Sequence, residues 1–102
     1  MDEKIFSKYF KAFGDRSRLK ILRLLASREM TVGDITKKIG LSQPTVSRHL
    51  SILREADIVN NRRDGQQVFY SLNKTSVSNC CVGFCDCLVV PVTAFRKKSK
   101  KK

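Results

Sequence analysis

Residues 31–53 read TVGDITKKIGLSQPTVSRHLSIL, and the spacing of apolar and helix-breaking residues in this stretch decides the fold. Thr31 followed three residues later by Asp34 has the form of a capping box, with aspartate in place of the usual glutamate. Val32, Ile35 and Ile39 then recur at helical intervals, and Gly40 supplies the stop. After only Gly40, Leu41 and Ser42 a second helical pattern begins, with Val46, Leu50 and Leu53 on one face. Pro44 falls in its first turn, where a missing N–H costs nothing. Two short helices across a tight glycine-containing turn form a helix-turn-helix.

Downstream of this pair, Ile58 to Arg62 reads as a strand. Asp64-Gly65 is a two-residue hairpin signal, and Val68, Tyr70 and Leu72 alternate on the returning strand. A helix-turn-helix followed by a β-hairpin predicts a winged helix, mainly α with one β-hairpin wing. Upstream, Ile5, Phe6, Tyr9, Phe10 and Phe13 form a broad stripe on a short helix that Gly14 can end. Asp15 is placed to cap a following helix over Arg16 to Ser27. Leu19, Ile21, Leu22, Leu24 and Leu25 make that helix apolar on most sides, which predicts the buried centre of the domain. From Thr75 to Val90 the pattern weakens. Val77, Cys81, Phe84 and Leu88 share a helical face, but Gly83 makes this last helix easy to bend or break.

The chain has 102 residues, enough for one domain, expected over residues 1–95. Its 21 lysines and arginines against 9 acidic residues give a formal charge of +12. Six of those cations lie in the last seven residues, a run expected to be a disordered basic tail over 96–102. Fifteen cations against nine acids remain, so the body is basic too, at +6. That balance favours a polyanionic partner, nucleic acid before acidic membrane. No signal-peptide stretch opens the chain, and the apolar run Cys87 to Val90 is too short to span a bilayer; a cytoplasmic protein is expected. With one histidine, His49, and no evident Ser/His/Asp set, hydrolase chemistry is unsupported and no enzymatic role is expected.

Turning Val46, Leu50 and Leu53 inward turns Pro44, Arg48 and Ser51 outward, with Thr45 and Ser47 on the flanks and Gln43 in the first turn. Hydroxyl and amide side chains there can reach base edges, while arginine grips guanine or phosphate. Arg62, Arg63 and Gln66 stand beside the wing tip, where they can follow a neighbouring groove or backbone. A polar helix face is more often merely solvated. Its position on the second helix of a helix-turn-helix, beside a basic wing, favours double-stranded DNA. His49, at the edge of the core face, reads as a structural or phosphate-contacting residue rather than a metal ligand.

These residues carry a family resemblance. Leu41 to Ala56, LSQPTVSRHLSILREA, resembles the recognition region of the ArsR/SmtB family, and Phe13 to Leu22, FGDRSRLKIL, is similar to the family's early helix; the likeness spans about residues 5–75. It implies a homodimeric winged-helix repressor whose first and last helices form the dimer interface. Such repressors leave a palindromic operator when a metal or metalloid binds. By position, Gln43, Ser47 and Arg48 would face DNA. The sensor sites of several branches are missing, however. Met30 to Ile35 holds no cysteine, no histidine follows the wing, and no cysteine precedes Cys80.

What remains is four cysteines within eight residues, Cys80-Cys81-x3-Cys85-x-Cys87. A cytosolic cluster of this kind points to metal or redox chemistry rather than a disulfide framework. Soft thiolates without histidine suit arsenite, antimonite, cadmium, lead or Cu(I). Within the cluster, Cys80-Cys81-x5-Cys87 resembles the C-terminal trithiolate site of an arsenical-sensing branch. That resemblance implies As(III) or Sb(III) as inducer at Cys80, Cys81 and Cys87, with Cys85 an additional or alternative ligand and no organic cofactor. On a rigid helix Cys80 and Cys87 lie about 10 Å apart along the axis, a gap that metal–sulfur bonds of about 2.3 Å cannot bridge. Either the helix opens near Gly83, or thiols of two subunits share the ion. The rivals are a thiol redox switch, a structural site, cysteines that merely fill the core (Cys81 first among them), and a constitutive architectural nucleic-acid-binding protein. A thiol-transfer enzyme is the remotest of the rivals.

Overall fold

The computed structural model describes residues 3–88. The basic tail and Val89 and Val90 lie outside them. Five helices and a small sheet follow in the order α1 (Glu3–Phe13), α2 (Arg16–Ser27), β1 (Met30–Thr31), α3 (Val32–Ile39), α4 (Gln43–Glu55), β2 (Val59–Asp64), β3 (Gln67–Leu72) and α5 (Lys74–Leu88). The sheet is antiparallel with β3 in the middle, flanked by β1 and β2. This is a winged helix-turn-helix with one helix added at each end.

Local chemistry accounts for most of the boundaries. Asp15 stands in extended backbone before α2 and its carboxylate accepts the Arg18 N–H at 3.0 Å. Thr31 and Asp34 form the reciprocal capping box at the start of α3. Gly40 ends that helix in the left-handed region, at φ 83°, and its N–H returns to the Thr36 carbonyl. Ser42 then caps α4, with Pro44 in the first turn.

Two local expectations shift. The hairpin register pairs Asp64 with Gln67, so the turn residues are Gly65 and Gln66 rather than Asp64 and Gly65. Gly65 takes a φ of +65° and Gln66 does not, the pattern of a type II′ turn, which wants glycine at its first central position. Strand β1 has no counterpart in the sequence reading. Two residues are too few to show alternation, and Met30 and Thr31 become a strand only by pairing with Tyr70 and Phe69.

The buried core gathers Phe6, Tyr9 and Ala12 of α1, Ile21 and Leu25 of α2, Met30, Ile35, then Val46, Leu50 and Leu53 of α4, and Ile58 and Val59, with Tyr70 and Leu72 of β3 half-buried against it. Helix α2 lies at the centre of the domain, as its composition predicts, but is not buried on every side. Only Ile21 and Leu25 are buried in it, and Leu19 lies 45% exposed. Leu22 and Leu24 are half-buried against the core, and the helix touches α1, α3, α4 and β3, so the Leu19 side is the one left open within a single chain.

Helix α5 runs unbroken through Gly83. Its inward residue is Cys80, fully buried, with Val77 and Phe84 half-buried beside it. Cys81, the thiol expected on the core face, is exposed. Both cysteines satisfy helical spacing between Val77 and Phe84, so periodicity alone leaves a tie. Packing breaks it: the Phe84 ring meets Phe10 and Phe6 of α1 edge-on, at 4.4 and 5.4 Å, and this orientation carries Cys80 inward. Leu88, at 64% exposure, leaves the expected face as well.

Candidate nucleic-acid interface

On α4, Val46, Leu50 and Leu53 are fully buried, which fixes the rotation of the helix. Gln43, Pro44, Thr45, Ser47, Arg48 and Ser51 are all exposed. The outward face read from the sequence is therefore brought together on one helix surface. The Thr45 hydroxyl is partly engaged in the cap, since Ser42 Oγ lies 2.8 Å from Thr45 Oγ1 and accepts the Thr45 N–H at 3.3 Å. The first-turn amides nearby form a positive helix end, suited to a phosphate.

His49 has a structural partner. Arg18 Nη1 lies 3.2 Å from its Nδ1, and because a guanidinium only donates, the ring nitrogen accepts. The same arginine donates from Nε to the Ala12 carbonyl at 2.8 Å and from Nη2 to that of Lys11 at 3.1 Å. Arg18 thus closes the C-terminal end of α1 and holds the middle of α4. Asp15 lies beside this hub. Its carboxyl is held below the ordinary aspartate range, chiefly by the Arg18 backbone N–H; partial desolvation opposes this, and the Arg18 charge assists it.

The wing separates the residues expected to act together. Arg63 and Gln66 are exposed. Arg62 instead turns back over the sheet: its Nε lies 3.1 Å from both carboxylate oxygens of Glu29, and its Nη2 also donates to that carboxylate. Its guanidinium sits 4.7 Å above the Phe69 ring, with Asp64 at 3.8 Å.

Two further groups of polar residues were missed by sequence reasoning. Arg54 continues the row of Ser47 and Ser51 at i+7, and with Asn60 and Asn61 of β2 it lines an open groove between the recognition helix and the wing. Helical spacing could have found Arg54, but only the fold brings the two asparagines beside it. Lys20 and Arg23 of α2 meet Lys38 of α3 around a second, basic groove, and no local signal relates them.

The cysteines do not gather within one chain. Cys80 points into the core, and burial pushes its thiol pKa up, with neighbouring Cys81 adding to the effect. Cys81, Cys85 and Cys87 are exposed free thiols. Among the described residues no three His, Cys, Asp or Glu side chains come together in a metal-holding group. The donor set suits a soft ion, but in this conformation the Cys80, Cys81 and Cys87 sulfurs do not make a site. No helix among the described residues is long and apolar enough to cross a membrane.

Comparison with known proteins places this geometry. Residues 15–61, from the α2 cap to the first half of the wing, match the family described as "Bacterial regulatory protein, arsR family". The transcriptional repressor SdpR of Bacillus subtilis is 47% identical over 66 residues, covering 65% of this chain and 73% of its own length. The nodulation protein NolR of Rhizobium meliloti is 41% identical over 76 residues, 74% of this chain, which spans only 62% of NolR. The crystal structure of NolR from Sinorhizobium fredii superimposes with a TM-score of 0.70 at 36% identity, covering 83% of this chain and 85% of that one. The solution structure of the homodimeric winged helix-turn-helix domain of Mb0332 from Mycobacterium bovis gives 0.70 at 28% identity, over 76% of this chain and 73% of that one.

Proposed function

The chain belongs to the ArsR family of bacterial regulatory proteins, DNA-binding regulators of transcription, and from that premise we propose that it is a homodimeric repressor whose release from operator DNA is triggered at the α5 cysteines. The DNA half of this reading rests on the exposed row Gln43, Ser47, Arg48, Ser51 of α4, together with the exposed Arg63 of the wing. Two copies of the row, related by a twofold axis, would read a palindromic site in successive major grooves. The dimer is supported by Phe10 on α1 and Val82 and Leu88 on α5, large apolar side chains exposed on two helices that pack together. The homodimeric relative is an added support.

The inducer in this proposal is trivalent arsenic or antimony, bound by Cys80, Cys81 and Cys87 with Cys85 in reserve. One observation carries the coupling: Cys80 is fully buried on the same face as Phe84, which packs on α1. Ligation that includes Cys80 requires its thiol to leave the core. Such binding and the present α1–α5 packing exclude each other at this residue, and that exclusion is a differential affinity for two states, the requirement of any allosteric switch. A second reading, a thiol redox switch, is favoured by the exposure of Cys81, Cys85 and Cys87.

The test is DNA binding by the reduced protein, with a duplex it selects from a random pool, measured with and without arsenite and after mild oxidation. Release by arsenite that is lost in Cys80→Ser, Cys81→Ser and Cys87→Ser supports the first reading. Release by oxidant alone transfers the function to the redox switch. Indifference to both leaves a constitutive nucleic-acid-binding protein.

A further inference from the structure

We propose that Arg62 is a positioning residue that sets the pitch of the wing through Glu29 and Phe69, and that it is not itself a DNA contact. The proposal rests on the DNA-binding reading above but not on any inducer. Its starting point is the sheet register. Arg62 of β2 pairs with Phe69 of β3, and Phe69 pairs with Thr31 of β1, so the three residues form one row across the sheet. Directly paired residues in antiparallel strands face the same side. The Arg62 side chain follows that row, lies over the Phe69 ring and ends on Glu29, two residues before Thr31.

The mechanical need for such a tie is visible in the strands. The hairpin is joined to the rest of the sheet through β1, only two residues long. Beyond Arg62 the wing consists of Arg63 and Asp64, the Gly65-Gln66 turn and the start of β3. A cross-sheet clamp at Arg62 therefore stands where the wing leaves the body, and it fixes the direction in which Arg63 and Gln66 project.

An exposed ion pair is ordinarily worth little, because two flexible side chains must be ordered in water. This one has features that lower that ordering cost. The planar guanidinium meets one carboxylate through both Nε and Nη2, and its face is supported by an aromatic ring. The interaction also holds Glu29 below the ordinary glutamate range, first through the side-chain hydrogen bonds from Arg62. With its charge matched by Glu29 and flanked by Asp64, Arg62 has little free charge for a phosphate. Arg63, on the opposite face of the strand by alternation, makes no ion pair among the described residues and is the wing's cation for DNA.

The two roles of Arg62 predict opposite signs for changes at Glu29. The experiment uses the full chain and the selected duplex, with affinity measured across a salt series. If Arg62 positions the wing, Glu29→Gln and Arg62→Ala both weaken binding, each roughly two- to fivefold. The double variant is then no weaker than the worse single one. Arg62→Ala leaves the slope of log affinity against log salt at its wild-type value, while Arg63→Ala lowers it by about one per subunit contact. Arg62→Lys keeps the charge but loses the fork and the stacking, and it behaves like alanine. Tighter binding by Glu29→Gln, a reduced slope in Arg62→Ala, or wild-type behaviour of Arg62→Lys would each overturn the proposal. Amide hydrogen exchange gives a readout free of DNA: Glu29→Gln should speed exchange at residues 63–67 and leave α4 protected. Unchanged exchange there also defeats the clamp. Failure of the wild type to bind any duplex defeats the DNA-binding reading instead, and the exchange result still decides the clamp.

Discussion

The recognition helix α4 and the cysteine helix α5 are similar in length, yet one is specified by its own sequence and the other by its neighbour. In α4 a serine cap, a first-turn proline and three fully buried residues at i, i+4 and i+7 agree on a single rotation. In α5 a weak apolar pattern is compatible with two rotations about 100° apart, and the rings of α1 choose between them. The lesson concerns function as well as folding. A surface proposed to present fixed side chains to DNA sits on an element with one answer. A helix proposed to switch sits where the answer depends on a contact that can be lost.

The comparison breaks first at Leu50. This side chain is fully buried at the centre of the core, so Leu50→Ala should lower stability by about 2–5 kcal/mol. A denaturant midpoint within error of wild type would mean that α4 is not anchored as described. Next comes the face opposite. Arg48→Ala should cost about 1–3 kcal/mol of DNA binding while leaving the unfolding midpoint unchanged, because Arg48 is exposed on the helix surface. Full affinity in that variant would remove Arg48 from the reading face.

A smaller effect tests how local the encoding is. Asp15 caps α2, and Asp15→Ala should cost about 1 kcal/mol. The carboxylate is depressed in the folded state, chiefly by the Arg18 N–H. Its support for folding is therefore present above the unfolded-state pKa and is lost as pH falls through the folded one. The stability gap between wild type and Asp15→Ala should close in acid. Asp15→Asn, which keeps an acceptor without the charge, should recover part of the stability at neutral pH and lose the pH dependence. A gap that persists at low pH would assign the effect to something other than the ionised cap.

Much of this fold was legible because its signals lie within a few residues of one another. Thr31 with Asp34, Gly40, Ser42 with Pro44, and Gly65 each fix a boundary locally, and the outward face of α4 followed once Val46, Leu50 and Leu53 were turned inward. The failures share the opposite property. Glu29 is 33 residues from Arg62 and meets it only after three strands have paired, so no local signal revealed this pair. Strand β1 exists only through β3. Lys20 and Arg23 reach Lys38 across a helix–helix groove. Cys80 and Cys81 were indistinguishable by spacing, and the one expected inside lies outside.

The finest test returns to α5. Three of its thiols are exposed, while Cys80 is buried with its pKa raised by desolvation, and the thiolate is the reactive form. In the reduced protein, brief treatment with iodoacetamide followed by peptide mass analysis should label Cys80 far more slowly than Cys81, Cys85 or Cys87. Mild denaturant should abolish the difference. Phe84→Ala removes the ring that meets α1 and should raise the Cys80 rate selectively, ahead of global unfolding, because it loosens the contact that set the rotation of the helix. Protection of further cysteines as protein concentration rises would mark the side of α5 covered by a second copy. If Cys80 instead reacts as fast as its neighbours in the intact protein, the helix is not held in this rotation. The contrast with α4 would then lie in mobility rather than in which neighbour decides, and a switch that depends on drawing Cys80 out of the core would have nothing to overcome.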